Sequence, residues 1–252
     1  MTASTKLKAS PVKPNEFTGF PEQGFRFLRQ LKLNNDRDWF RERKADYDQF
    51  VQRPMEALVL AAAAECRRRG LPLHAKERSP VMRVYRDIRF SKNKQPFKTH
   101  VAAEIRRDFV ASCCMLYIHV APEESFVAAG VWQPERPILR GWREAMVKQP
   151  ARFEKMRRAL TSKQLSLGGE HKLSTMPRGF QNYAQHPIGP WLKLTSFVTH
   201  RPLAPSLCTS PDLLPAVVDF AIAVKPLLEF GWHVEDSQKA VGTKKLREED
   251  LW

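Results

Sequence analysis

Several features that would assign the protein to a functional class are missing from its sequence. It has no run of about 18 apolar residues, which a membrane-spanning helix would need, and its polar start lacks the apolar stretch of a signal peptide. Its four cysteines show no Cys-x-x-Cys spacing, so neither a zinc knuckle nor a disulfide framework is predicted. The expectation is a cytoplasmic protein without a transmembrane segment.

Motifs for cofactors and catalysis are missing as well. No glycine-rich phosphate loop follows a predicted strand, and this argues against a Rossmann or P-loop nucleotide site. The seven histidines are scattered without His-x-x-x-His spacing, and no Gly-x-Ser-x-Gly elbow occurs. His119 alternates with apolar neighbours and is therefore predicted to be a satisfied core or edge histidine. We expect no metal site and no cofactor.

Acidic residues are scarce relative to basic ones. The chain has 42 Lys and Arg against 27 Asp and Glu, a formal net charge of +15. A charge of this sign favours polyanionic partners such as nucleic acid or phosphorylated metabolites. A general preference for arginine explains the same number, and both interpretations stay open. The apolar fraction of 42% is enough for a real core, so global disorder is excluded.

Hydrophobic periodicity predicts an α+β fold, with N-terminal helices followed by an antiparallel sheet that further helices flank. Amphipathic helices are predicted to begin near Pro21 and Pro54. Between them, Asn34-Asn35 is predicted to end the first helix and to cap a second one. Strands are predicted at 81–90, 99–106, 112–120, 125–132 and 192–199, and a last helix at 211–230. Helices precede the strands instead of alternating with them. We expect a disordered tail at 1–18, a single domain at 19–234 and a loose, charged tail at 235–252.

The stretch from Ser79 to Arg107 is the part of the chain in which we expect the function. Between Arg83 and Arg107 it carries eight Lys or Arg against two acids. Period-two alternation places Met82, Val84, Arg86, Ile88 and Phe90 on a mostly buried row, and interleaves arginines with Tyr85 and Asp87 on a polar row. A basic strand that runs into a basic loop suits an anion, because arginine and lysine both pair with phosphate or carboxylate. A solvated strand face, with Asp87 paired to neighbouring arginines, explains the same pattern.

This stretch also carries a resemblance. RVYRDIRFSKNKQPFKTH resembles the signature of domain of unknown function 2461 (DUF2461), a family of uncharacterised bacterial and fungal proteins. Three more stretches share the resemblance: FLRQLKLNNDRDWFRERKADYDQFVQRP, which precedes this signature in the chain, and GVWQPERPILRGWREAM and MPRGFQNYAQHPIGPWLKL, which follow it. Together the four stretches extend in chain order from about Phe20 to Phe230. The resemblance implies a single domain and no particular reaction.

Three hypotheses follow for the function. In the preferred one, a basic cleft binds an anionic ligand, either a phosphorylated molecule or nucleic acid. Its predicted ligand-binding residues are Arg83, Arg86, Arg89, Lys92, Lys94, Lys98, Arg178 and Lys193. In the second, the protein is an enzyme for a phosphate- or carboxylate-bearing substrate, with Asp87 as acid or base. In the third, the same charges form a structural ion-pair network under a protein-interaction surface. The sequence predicts no oligomeric state.

Overall fold

Apolar residues at helical spacing make the N-terminal third of the chain helical. The computed structural model describes residues 17–76, 80–107, 112–168 and 172–249, with side chains up to residue 240. Its first helices are α1 (Glu22–Leu33), α2 (Arg37–Glu42), α3 (Lys44–Tyr47) and α4 (Arg53–Arg68), with a π-helical turn at Asp48–Gln52. Phe25, Leu28 and Leu31 line the buried face of α1, as predicted. The predicted disordered tail falls almost entirely outside the described residues.

The junction between α1 and α2 differs from the prediction. Asp36, not the Asn34-Asn35 pair, caps α2: its side chain accepts hydrogen bonds from the backbone N–H groups of Asp38 and Trp39 at 3.0 and 2.9 Å. A carboxylate at this position satisfies N–H groups that have no partner inside the helix. The Asn35 side chain is therefore available for a distant contact, described below.

A four-stranded antiparallel sheet follows, and the predicted α+β class is confirmed. The strands are β1 (Val101–Arg106), β2 (Met115–Val120), β3 (Ser125–Val131) and β4 (Phe197–Leu203), in the spatial order β1-β2-β3-β4. At the β3–β4 pair, Gly130 has a φ of +122°, and a side chain there would collide with the carbonyl oxygen of Phe197. Only glycine lets the two strands approach at this point.

The two faces of this sheet are unlike. On β2, Leu116, Ile118 and Val120 are buried, because α4, α9 and α10 pack against that side of the sheet. The alternate residues Met115, Tyr117 and His119 are half-buried and point to the other side. We call this second side the open face.

The predicted strand at 81–90 is wrong. Residues 80–100 meet the sheet and each other only at isolated bridges, Val81 with Ala103 and Tyr85 with Phe97. The side chains of Asp87 and Asn93 accept the backbone N–H groups of Arg89 and Gln95, and such local bonds compete with a strand ladder. The predicted alternation of burial fails with it, since Phe90 is 94% exposed.

The remaining helices complete the fold. They are α5 (Arg136–Lys148), α6 (Pro150–Thr161), α7 (Gly189–Leu192), α8 (Pro205–Cys208), α9 (Leu213–Ala223) and α10 (Lys225–Glu249), with a 3₁₀ turn at Gln181–Tyr183. The predicted strand at 192–199 is misplaced, because the chain is still helical at Leu192 and β4 begins at Phe197. None of the described helices is long and apolar enough to cross a membrane.

The C-terminal helix runs past the predicted domain boundary at residue 235. Glu235 is buried, and its carboxylate accepts hydrogen bonds from the backbone N–H groups of Cys113 and Cys114 at 2.8 and 2.7 Å. Ser112 donates its hydroxyl proton to the same carboxylate at 2.9 Å. These hydrogen bonds connect α10 to the start of β2. The predicted final helix at 211–230 corresponds to two helices, α9 and the first part of α10. The division into one domain and two tails stays a prediction.

Candidate functional site

The irregular stretch at residues 81–98, which we call the basic segment, is held by one asparagine. Asn35 donates its side-chain amide to the carbonyl oxygen of Phe97 at 3.1 Å and accepts the Phe97 N–H at 3.0 Å. The Phe97 ring stacks on Phe40 at a centroid distance of 4.2 Å and touches Tyr85 at 5.2 Å. The amide thus satisfies the backbone N–H and carbonyl of Phe97 that the bridge to Tyr85 does not use, and the aromatic contacts fix the segment against the helices.

Backbone hydrogen bonds fold the basic segment back on itself beside β1. Arg86 donates its N–H to the Pro96 carbonyl, and Lys98 donates its N–H to the Val84 carbonyl, both at 2.8 Å. Met82 donates to Ala102 in β1 at the same distance. This arrangement brings residues from both arms of the segment to the same edge of the sheet.

Several predicted ligand-binding residues are engaged within the segment itself. Arg89 forms a two-pronged ion pair with Asp87, at 3.0 and 2.7 Å, and both side chains are exposed. Arg86 donates to the Gln95 carbonyl at 3.3 Å, and Lys94 donates to the Ile88 carbonyl at 3.0 Å. These contacts stabilise the turn of the basic segment.

Asp87 is a poor general base in this setting. The hydrogen bonds from the Arg89 side chain and backbone lower the pKa of Asp87, and the charge of Arg83 adds to the effect. A carboxylate that abstracts protons near neutral pH needs a raised pKa instead. The enzymatic hypothesis therefore gains no support from Asp87.

Two predicted residues lie on another part of the chain. Lys193 follows α7 and donates its ammonium group to the Ser174 carbonyl at 2.9 Å. Arg178 is exposed on the same irregular stretch. This stretch flanks β4, while the basic segment flanks β1 at the opposite edge of the sheet. The structure does not bring Arg178 and Lys193 to the basic segment.

Arg83 and Lys98 are the predicted residues that come together. Burial lowers the pKa of the Lys98 ammonium group and the nearby positive charge of Arg83 lowers it further, while the negative charge of Glu104 acts in the opposite direction. Neither side chain forms an ion pair with a carboxylate of the described residues, because Asp87 is bound to Arg89 and Glu104 is bound to Arg106 at 2.6 Å. Lys92 is exposed on the same segment. We call Arg83 and Lys98 the basic corner.

A cluster of rings on the open face was not predicted from the sequence. His100 lies 4.2 Å from His119, and His119 stacks on Phe126 at 4.8 Å with nearly parallel planes, all between ring centroids. Tyr117 and His200 lie near Phe126 at 5.9 and 6.2 Å. We call His100, His119 and Phe126 the ring row. His119, predicted to be a satisfied core or edge histidine, is half-buried on the inner strand β2 and is the middle member of this aromatic cluster.

Strand register explains this cluster. Ala102, His119, Phe126 and Pro202 face one another across the four strands, and the contact of His100 with His119 puts the His100 ring on the same side. In the sequence, the alternation within SCCMLYIHV and the short turn after it indicated that these side chains share one face of a hairpin. The turn length that pairs His119 with Phe126 was not predicted.

Burial sets the protonation of this cluster. It lowers the pKa of His100 to about 4, with further effects from His119 and Lys98, and it lowers the pKa of His119. It raises the pKa of Tyr117, whose hydroxyl lies 3.3 Å from Nδ1 of His119. The rings are therefore neutral at physiological pH.

Other reactive groups do not form a site in the described part of the chain. No cluster of three or more His, Cys, Asp or Glu residues there is arranged to hold a metal ion. Burial raises the pKa of Cys113, and that of fully buried Cys114 still further, so both are thiols and weak nucleophiles.

A buried arginine organises the second half of the molecule. Arg143 on α5 donates to the carbonyl oxygens of Leu192 and Leu194, at 2.8 and 3.2 Å, and burial lowers its pKa. The neighbouring Trp142 stacks on Phe197 of β4 at 4.6 Å. These contacts connect α5 to the end of α7 and to the β4 edge.

A family model described as a conserved hypothetical protein (DUF2461) matches residues 23–230. The chain belongs to the DUF2461 family. No curated protein and no solved structure matches it significantly. In this DUF2461 domain, the Asn35 contact joins the first and second of the resembling stretches, and the Arg143 contacts join the third and fourth. The anchors of the fold and the basic corner therefore lie in the residues that carry the family resemblance.

Proposed function

We propose that this DUF2461 protein binds a phosphate-bearing ligand at the basic corner. The observation that supports this most directly is the pairing of the two arms of the basic segment, in which Lys98 donates its N–H to the carbonyl of Val84, the residue after Arg83, at 2.8 Å. Burial and the charge of Arg83 both disfavour the charge on Lys98. Two like charges at a partly desolvated position repel each other. An anion between them removes that repulsion and supplies an ion-pair partner, which neither side chain has among the described residues.

The basic corner differs from the arginines that form ion pairs. Those arginines have a carboxylate within 3 Å, as in the pairs of Arg107 with Asp236 and of Arg157 with Glu154. At the corner the two acids are engaged elsewhere, Asp87 with Arg89 and Glu104 with Arg106, although the charge of Glu104 still acts on Lys98.

The chemistry of the two side chains fits phosphate. Arginine presents a planar fork to two phosphate oxygens, and lysine adds a compact charge on a flexible stem. Lys92 is exposed on the same segment. The Asp87–Arg89 pair has a structural part in this proposal, because it stabilises the turn that carries the corner.

Titration with labelled inorganic polyphosphate at two salt concentrations tests the proposal. We expect the variant Arg83→Ala/Lys98→Ala to bind at least about tenfold more weakly than the wild type at low salt, since it loses two phosphate contacts. The control variant Lys155→Ala/Lys163→Ala removes the same amount of charge from exposed positions on and after α6. We expect it to bind like the wild type.

Two results would overturn the proposal. Equal losses in both double variants would mean that net charge alone attracts the polyanion. Unchanged binding by the Arg83→Ala/Lys98→Ala variant would exclude the corner as the site. Thermal unfolding of each variant separates a loss of binding from a loss of folded protein.

A further inference from the structure

The ring row lies directly beside the basic corner on the open face. Lys98 lies two residues before His100, and the charge of its ammonium group acts on the His100 ring. From His100 the row continues through His119 to Phe126, across β2 and β3. Beyond Phe126, His200 and Pro202 on β4 are exposed. The open face therefore leads from a pair of cations, along a line of neutral rings, to an accessible edge.

The charges on this face leave the cations dominant. Glu104 is the acid in the middle of the face, and it is bound to Arg106 at 2.6 Å. Glu124 is exposed in the turn between β2 and β3 and acts on His119 from the end of the strand. The cations of the corner keep their charge, while the acids are either paired or at the rim.

We infer that the open face binds single-stranded nucleic acid, with unpaired bases stacking along the ring row and phosphates contacting Arg83 and Lys98. This inference rests on the proposed phosphate-binding corner and adds the class of ligand. Proteins that bind single strands combine a positively charged track for the backbone with aromatic side chains on which bases stack. Both elements are present here, on adjacent positions of one sheet face.

The geometry favours a single strand over a duplex or a bare polyanion. In a duplex the bases stack on each other and present only phosphates and groove edges to a flat protein surface. Neutral, half-buried rings add nothing to the binding of polyphosphate. A row of rings next to cations gains binding energy only from a ligand with accessible base faces.

Fluorescence anisotropy with labelled oligonucleotides of about 12 nucleotides tests the inference. The probes are a single strand as RNA, the same sequence as DNA, its duplex, and inorganic polyphosphate. We expect Phe126→Leu to bind both single strands about 5- to 100-fold more weakly than the wild type, because one stacking surface is lost. Its binding of polyphosphate should be unchanged. The control Phe90→Leu removes an exposed ring outside the row, and we expect it to bind like the wild type.

The variants separate the two proposals. If Arg83→Ala/Lys98→Ala binds polyphosphate normally, the phosphate-binding corner is wrong. If that variant loses polyphosphate but Phe126→Leu binds the single strand as the wild type does, the corner stands and the ring row is not the stacking surface. Equal affinity of the wild type for the single strand and the duplex would overturn the inference. Weaker single-strand binding by Phe90→Leu, with Phe126→Leu unaffected, would overturn it as well.

A measurement on the wild-type protein covers the case in which Phe126→Leu does not fold. Ultraviolet crosslinking of a single strand that contains 4-thiouracil attaches the base to the side chains it touches. We expect the crosslinked peptides to contain β2 or the start of β3, with Tyr117, His119 or Phe126 as the modified residue. Crosslinks confined to other parts of the chain would overturn the inference.

Discussion

Acid should destabilise this protein through His100 before it protonates the carboxylates. In the folded chain burial lowers the pKa of His100 to about 4, and the neighbouring His119 ring and the charge of Lys98 act in the same direction. In the unfolded chain the pKa returns to about 6.5. Between these two values the unfolded chain binds more protons than the folded one.

The sign of the effect follows from this difference. The stability that neutral His100 contributes is complete above the unfolded pKa and is lost as the pH falls toward the folded one. A fully buried group with these pKa values would lose about 2 kcal/mol of unfolding free energy between about pH 8 and pH 5. His100 is partly exposed, so solvent reduces this to about 1 to 2 kcal/mol.

Urea unfolding, followed by tryptophan fluorescence from about pH 5 to pH 8, measures this slope. We expect His100→Gln to lose most of the pH dependence, because glutamine does not titrate. His200→Gln changes an exposed histidine on β4 and should retain it. His119 and His233, whose pKa values are also lowered by burial, account for the residual slope.

The pH range keeps other groups out of the measurement. Carboxylates with lowered pKa values, such as Glu154 at about 2, contribute stability that is lost only below the unfolded pKa near 4.5. If the unfolding free energy of His100→Gln changes with pH as that of the wild type does, His100 is not held neutral by burial in the ring row. The same result would weaken the description of the open face as a line of uncharged rings.

Two further predictions concern the anchors of the fold. Glu235→Ala should lower the unfolding free energy by about 3 kcal/mol, because it leaves two backbone N–H groups and a hydroxyl without their partner. Asp236→Ala removes the exposed partner of the largely buried Arg107 and should cost less, about 1 kcal/mol. Equal losses in chemical denaturation would contradict this difference. Asn35→Ala should speed amide hydrogen exchange across residues 84–98 by at least about tenfold, since Phe97 loses both hydrogen bonds, while Asn34→Ala, which affects an exposed bond within α1, should leave that exchange unchanged.

The helices and the first strands of the sheet could be predicted because their burial follows a single period. Phe25, Leu28 and Leu31 repeat at helical spacing and are buried on one face of α1. The predicted strand at 125–132 agrees with β3 to within one residue at its end. In these elements, local preference and tertiary packing favour the same structure.

The basic segment could not be predicted because local side-chain bonds override its strand-like composition. Residues 81–90 are rich in β-branched and aromatic residues, yet Asp87 binds the backbone N–H of Arg89 and the chain turns. The position of β4 failed for a related reason. Leu192 and Leu194 alternate like strand residues, but Arg143 captures their carbonyl oxygens, and a sequence does not display contacts 49 and 51 residues apart.

The candidate site was predicted in part. Arg83 and Lys98 belonged to the predicted set, and charge pattern was a sufficient signal for them. The charge pattern does not show which of these residues form ion pairs. That depends on the turn of the basic segment, which pairs Arg89 with Asp87, and on the Glu104–Arg106 pair. The ring row depends on strand register, because His119 and Phe126 meet only when β2 and β3 pair as they do.

The basic segment is ordered by a few specific contacts. An irregular segment without a strand ladder costs conformational entropy to order, and most of its exposed side chains contribute little burial in return. The Asn35 amide and the stacked rings of Phe40 and Phe97 hold that segment, and Lys98 with it, beside β1. The charges of Arg83 and Glu104 act on Lys98 in opposite directions. A phosphate at the proposed site would add negative charge beside both cations and so would stabilise the segment further.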